Sequence, residues 1–131
     1  MSGLLRDGLL VGLGGFCGAV ARFLVTGWLQ ARDDSFPYGT LAVNVAGSLA
    51  LAFLATMLAE RALPGSAFRL IAMVGFLGAF TTFSAFSYES ALLWSSGRWL
   101  ALAGNVVLNV GTCLLATAVG IALARQVAGG P

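Results

Sequence analysis

GFLGAFTTFSAFSYES, residues 75–90, lies inside an apolar run that would ordinarily form one uninterrupted helix. It carries two glycines, an adjacent threonine pair, three serines and four phenylalanines instead. Hydrocarbon offers no water to a backbone N–H or C=O, so non-helical backbone there survives only where protein or a cavity receives it. Gly78 followed by Thr81 and Thr82 is the point at which the helix is expected to break. Carbonyls freed there present a negative dipole end that suits a small hard cation such as Na⁺. The alternative is a kinked helix whose threonine hydroxyls satisfy the backbone locally.

The surroundings of this stretch are as apolar as the stretch itself. Of the 131 residues 59% are hydrophobic and only 9% charged, against roughly 25% charged in a soluble domain. Four runs approach the roughly 20 residues needed to cross a bilayer: 4–29, 40–59, 70–88 and 99–124. The predicted architecture is an all-α integral membrane protein, one domain over 1–131, with helices at about 4–29, 40–60, 68–95 and 99–125. The first run is too long for a signal-peptide core, contains Arg22 and lacks a cleavage site, so it reads as a retained helix.

QARDDSFPYGT and ERALPGSAFR supply the first two loops, with turns expected at Pro37 and Gly39 and at Pro64–Gly65. SSGRW is so short that the third and fourth helices must be antiparallel neighbours. Trp28, Trp94 and Trp99 fall at helix ends, as interfacial aromatics do. No internal repeat is visible, and four spans enclose little interior, which makes a homo-oligomer physically attractive. Alternating helices place Arg6, Arg61, Arg69 and Arg125 on one side, with Arg32, Arg98 and nearby Arg22 on the other. So weak a bias under the positive-inside rule allows insertion in both orientations.

Enzymatic chemistry is hard to build from this composition. Histidine is absent, which removes the commonest general base and the usual zinc ligand. Cys17 and Cys113 both fall inside spans and read as small packing residues. Asp7, Asp33, Asp34 and Glu60 lie near segment ends or in loops. Gly8, Gly12, Gly14 and Gly18 give helix one small faces for close packing, the purpose to which Gly8 and Gly12 are chiefly assigned.

The informative polar residues are uncharged. Asn44 must find partners in hydrocarbon, and an interhelical hydrogen bond is the simplest. Asn105, Asn109, Cys113 and Thr117 recur every four residues and form one slowly drifting stripe on helix four. Interhelical glue is one reading of that stripe; the wall of a wet track is the one expected. Phe83 and Phe86, three apart, share a face, which usually means packing, although ring edges are electropositive enough to meet an anion. Arg22 either snorkels to the interface or raises the anion potential at a pore entrance. Glu89, at the end of the third apolar run, is either an interfacial anchor or a gatekeeping acceptor.

GGFCGAVAR (Gly14–Arg22), GTLAVNVAGS (Gly39–Ser48) and GFLGAFTTFSAFSYE (Gly75–Glu89) together resemble the three signature motifs of the Fluc, or CrcB-type, fluoride channels. The resemblance covers essentially the whole chain in order. It implies a passive, fluoride-selective exporter in the bacterial cytoplasmic (inner) membrane that protects against fluoride toxicity. It also implies an antiparallel dual-topology homodimer with two pores, a third helix broken at mid-membrane, and a structural Na⁺ held by backbone carbonyls of Gly78 and Thr81 from both copies. Phe83 and Phe86 match pore-lining phenyl positions and Asn44 the pore asparagine. Thr40, Ser84, Arg22 and Glu89 fall on motif positions, and Asn105 and Asn109 on the polar track. Ala85 departs from the Ser or Thr common between the two phenylalanines, so one hydroxyl is missing. The partners implied are fluoride, lipid and a second copy, with no nucleic acid.

Fluoride is small and strongly hydrated, so a narrow pore must replace its water with donors, and weak multiple sites let it leave. Two rivals predict otherwise. A four-helix drug/proton antiporter needs an embedded carboxylate, usually in helix one, where the deep charge is Arg22. A non-transporting assembly subunit would use its polar residues only as glue.

Overall fold

Four long apolar segments fold back and forth with short connections, and each is long enough to cross a membrane. A computed structural model describes residues 2–31, 35–61 and 66–129. Arg32, Asp33, Asp34 and the Pro64–Gly65 turn lie outside the described residues. The elements are α1 (Ser2–Gln30), α2 (Tyr38–Arg61), α3 (Ser66–Phe68), a π-helical segment (Arg69–Leu77), α4 (Gly78–Phe80), α5 (Phe83–Ser95) and α6 (Trp99–Ala128). Segments α3 to α5 form the third span, Ser66–Ser95. Among the described residues there is no strand.

The four expected helices are present, each slightly longer than expected at one end or both. Gly39 is not a turn residue. Helix α2 already begins at Tyr38, directly after Pro37, and Gly39 packs on helix α1, where an added Cβ would stand 2.8 Å from Thr26 Cα. Gly97, at φ 70°, makes the reversal between α5 and α6, and its N–H donates to Trp94 O. The Trp94 and Trp99 rings meet across that reversal, centroids 5.9 Å apart. At the far end Gly129 closes α6 in the left-handed conformation, φ 76°.

Besides the Gly39 contact between α1 and α2, two further helix pairs come close enough for their backbones to touch. Helix α6 lies along α2, where a Cβ on Gly120 would stand 2.6 Å from Leu49 O. Helix α1 lies along the π segment: a Cβ on Gly14 would stand 2.0 Å from Ile71 O, one on Gly18 2.1 Å from Phe76 O, and one on Gly75 2.5 Å from Val11 O. This corrects the assignment of Gly8 and Gly12, which have nothing within 4 Å. The packing glycines are the Gly14–Gly18 pair, spaced to share a face.

An α-helix is the sequence expectation for 69–77; the structure is π-helical there. The Gly78 N–H ends this wide spiral by reaching Met73 O, five residues back. The segment with the weakest internal geometry thus lies where α1 offers no side chains and admits backbone directly.

The buried apolar core is small: Val43, Leu77, Phe86, Leu93, Ala116 and Ala124. Large side chains such as Phe16, Phe23, Leu100 and Leu114 are exposed around the periphery. A soluble chain would not leave them so; a lipid-facing one must. What is buried instead is polar. Thr40, Thr82, Asn105 and Asn109 are all enclosed.

Candidate functional site

The third span is interrupted, and the threonine pair makes the interruption. Thr81 (φ −83°, ψ 157°) and Thr82 (φ −152°, ψ 117°) are extended between α4 and α5. Gly78, expected to share in the break, is helical at φ −63°. The β-branched pair is suited to this job, because such residues favour extended backbone. Each hydroxyl also serves the neighbouring helix. Thr81 Oγ1 donates to Leu77 O at 3.0 Å, and Thr82 Oγ1 caps α5 by accepting from the Ala85 N–H at 3.1 Å.

Helix α2 supplies what the broken helix cannot. The Thr82 N–H donates to Asn44 Oδ1 at 2.7 Å, and Asn44 Nδ2 donates to Thr82 O at 3.1 Å. A carboxamide here does what a residue in an adjoining strand would do, exchanging both bonds with one extended residue. Gly47, one turn further along α2, makes the approach possible. A Cβ there would stand 2.2 Å from Thr81 Cγ2. Sequence reasoning placed Thr82 at the break but passed over Gly47; a glycine three residues after an intramembrane Asn, on the same helix face, was the available signal.

The diverted donors identify the freed acceptors. In an unbroken helix the Thr82 N–H would reach Gly78 O and the Ala85 N–H would reach Thr81 O. Both now bond elsewhere, to Asn44 and to Thr82 Oγ1. The Phe83 and Ser84 N–H groups likewise pass into the first turn of α5, so the carbonyls of Gly78, Ala79, Phe80 and Thr81 together form the open end of the interrupted helix.

Helix α6 continues the polar contact. Asn44 Nδ2 also donates to Asn109 Oδ1 at 3.1 Å, and Asn109 Nδ2 donates to Asn105 Oδ1 at 2.8 Å and to Asn105 O at 3.2 Å. Asn105 Nδ2 donates to Ser90 Oγ at 3.0 Å, and Ser90 Oγ donates to Phe86 O at 2.7 Å. The amide hydrogens of Asn44 and Asn109, which the sequence offered to a passing anion, are all bonded within the protein. Asn105 is fully buried. Asn109 and Cys113 of the expected stripe face a cavity.

Phe83 and Phe86 stand together, ring centroids 5.4 Å apart and tilted by 54°. They share a cavity of about 350 Å³ with Asn44, Thr82, Asn109 and Cys113. Their environments differ, for Phe86 is buried whereas Phe83 is 77% exposed. Ser48 also lines this cavity, another residue the sequence reading did not select.

Thr82 also lines a second cavity, of about 510 Å³, with Arg22, Thr40, Ser84 and Glu89 among others. Ser84 Oγ is 3.1 Å from Thr82 Oγ1. Thr40 Oγ1 donates to Glu89 Oε1 at 2.6 Å, while Glu89 Oε2 is buried with no partner. Glu89 does not end a helix: α5 continues to Ser95, so this carboxylate lies well inside the span. Thr40 and Glu89 in turn line a third cavity, of about 420 Å³, with Gln30, Ser96 and Arg98. Arg98 reaches across to Ser35 O at its edge. Thr82 thus borders the first two cavities, and the Thr40–Glu89 bond borders the second and third.

Four apolar spans, one of them opened around a hydroxyl- and amide-lined seam, define a small multi-pass membrane protein. Residues 9–121 match the family described as CrcB-like protein, Camphor Resistance (CrcB). The chain belongs to this family. It is 42% identical over 122 residues to a fluoride-specific ion channel FluC of Sulfurovum sp., covering 92% of this chain and 95% of that one. A namesake from Koribacter versatilis is 39% identical, with 94% and 98% covered. One from Methylococcus capsulatus is 48% identical over 92% of this chain, which spans only 53% of that longer relative.

Proposed function

We propose that this chain is a fluoride-specific ion channel that lets F⁻ leave passively across the bacterial cytoplasmic membrane, and so protects the cell from fluoride. The observation that carries this reading is the opened third span held by Asn44, with two cavities that Thr82 helps to line. The names of the relatives supply the ion. Chemistry agrees with it: a strongly hydrated anion needs neutral donors in sequence and no full charge tight enough to trap it.

Three adjoining cavities are the path in this reading. Arg22 draws the anion to the middle cavity, where the Ser84–Thr82 hydroxyl pair replaces part of its water. Phe83 and Phe86 then offer ring edges, with Asn44, Asn105 and Asn109 as the wall behind them. Glu89 acts as the acceptor that gates the Thr40 hydroxyl.

The working unit in this proposal is an antiparallel, dual-topology homodimer in which the break lies at mid-membrane. Exposed Phe83 and Gly78 are the residues a second copy would cover. The carbonyls of Gly78 and Thr81, short of helical donors, fit a hard cation that takes oxygen ligands, so these residues would hold Na⁺ between the copies. Bound there, the ion would supply positive charge that balances the two broken helix ends.

Liposomes loaded with fluoride or chloride test the function directly. Purified protein is expected to release F⁻ and retain Cl⁻, with no dependence on a proton gradient. The intramembrane Glu89 gives the proton-coupled antiporter reading a foothold. Efflux that follows the proton gradient would establish that rival and remove the channel.

A further inference from the structure

The four side chains Asn44, Asn109, Asn105 and Ser90 form a relay whose direction is fixed at both ends by backbone groups. At one end the Thr82 N–H can only donate, so Asn44 must turn its Oδ1 toward it and its Nδ2 toward Asn109. Asn109 must then accept on Oδ1 and donate onward to Asn105. At the other end Phe86 O can only accept, so the Ser90 hydroxyl proton goes to it and Ser90 Oγ must accept from Asn105. The two constraints, from the N-cap of α5 and a residue four further on, demand the same orientation of all three amides. The path is also closed: it leaves α5 at Ser90, crosses α6 and α2, and returns to α5 at Thr82 around the turn that carries Phe83 and Phe86.

We propose that Ser90 is a positioning residue for conduction: through Asn105, Asn109 and Asn44 it holds the Thr82 backbone extended and the span open. The inference rests on the channel reading for its functional half alone. Ser90 touches neither the break nor any of the three cavities. Its effect travels because a flipped amide in a dry relay leaves two donors, or two acceptors, facing each other, so no single member turns without the next. A consequence is that Asn44 and Asn109 meet the cavity they share with Phe83 and Phe86 as a fixed wall with no uncommitted N–H, and hydroxyls such as Ser48 there and Ser84 in the second cavity remain to donate.

The test compares wild type with Ser90→Ala, Ser90→Thr and a control, Ser95→Ala, whose hydroxyl makes a local back-bond to Leu92 O outside the relay. Amide hydrogen exchange at Thr82 is followed by NMR in detergent, and fluoride and chloride efflux are followed in liposomes. Ser90→Ala is expected to speed Thr82 exchange about tenfold, as loss of one buried bond would, and to lower fluoride flux by a similar factor. Ser90→Thr, which keeps a hydroxyl able to bond the carbonyl four residues back, is expected to restore both, and Ser95→Ala to change neither. Unchanged Thr82 exchange in Ser90→Ala overturns the proposal, as does failure of Ser90→Thr to restore it. If the wild type carries no fluoride, the channel reading fails by itself, and Thr82 exchange still decides whether the relay holds the break.

Discussion

Asn44 shows how much one side chain can do when it imitates a peptide group. It satisfies both the N–H and the C=O of Thr82, and each would cost about 1–3 kcal/mol if buried unpaired, more in hydrocarbon. Asn44→Leu is therefore expected to lower unfolding stability by at least roughly 2 kcal/mol and to abolish fluoride flux, read by thermal melting in detergent and by liposome efflux. Full flux in that variant would reduce Asn44 to ordinary helix glue. The two phenylalanines separate at the same scale. Phe86 is buried and Phe83 is not, so Phe86→Ile is expected to reduce the melting temperature more than Phe83→Ile, while both reduce flux. Sequence reading singled out Asn44, the Phe pair and the threonine pair but not Gly47, Ser90 or the Asn44 partner of Thr82. Their roles depend on which neighbour each one meets, and spacing along a single helix carries no record of neighbours.

Close backbone approach governs at the scale of the element. Helix α1 and the π segment touch because Gly14, Gly18 and Gly75 carry no Cβ. Gly14→Ala and Gly18→Ala would drive a methyl into carbonyls at 2.0 and 2.1 Å. Backbone cannot yield as a flexible side chain does, so each is expected to destabilise by about 1–3 kcal/mol or more. Gly8→Ala and Gly12→Ala meet open space and are expected to stay within about 1 kcal/mol of wild type, since alanine is the better helix former. Denaturation of the four variants side by side checks the contrast; equal losses would contradict it. The number and approximate ends of the spans were legible from hydropathy, because lipid imposes length and apolarity on each span separately. The π segment was not, because that geometry answers to the groove in α1.

The whole molecule presents a small core, a broad apolar periphery and a seam of buried polar groups. If two copies pack antiparallel, a C-terminal epitope should be reached from both sides of sealed vesicles in comparable amounts. Labelling from one side only would remove dual topology. If Na⁺ is held at Gly78 and Thr81, replacing Na⁺ by a large organic cation should lower the thermal stability of the dimer. An unchanged melt would leave those carbonyls to water or to partner side chains.

Residue types and their order were enough to place the chain in lipid with four spans and to mark the threonine pair as a break or a kink in the third. Those properties follow from local facts: apolar length, the absence of charge, and β-branched residues at one point. What makes it a break, and what holds that break open, emerged from the packed helices. The carboxamide that receives Thr82, the glycine that admits Thr81 and the serine that orients the relay lie 38, 34 and 8 residues away from them. Hydrogen bonds are directional and short-ranged, so their pairing exists only once the helices have packed.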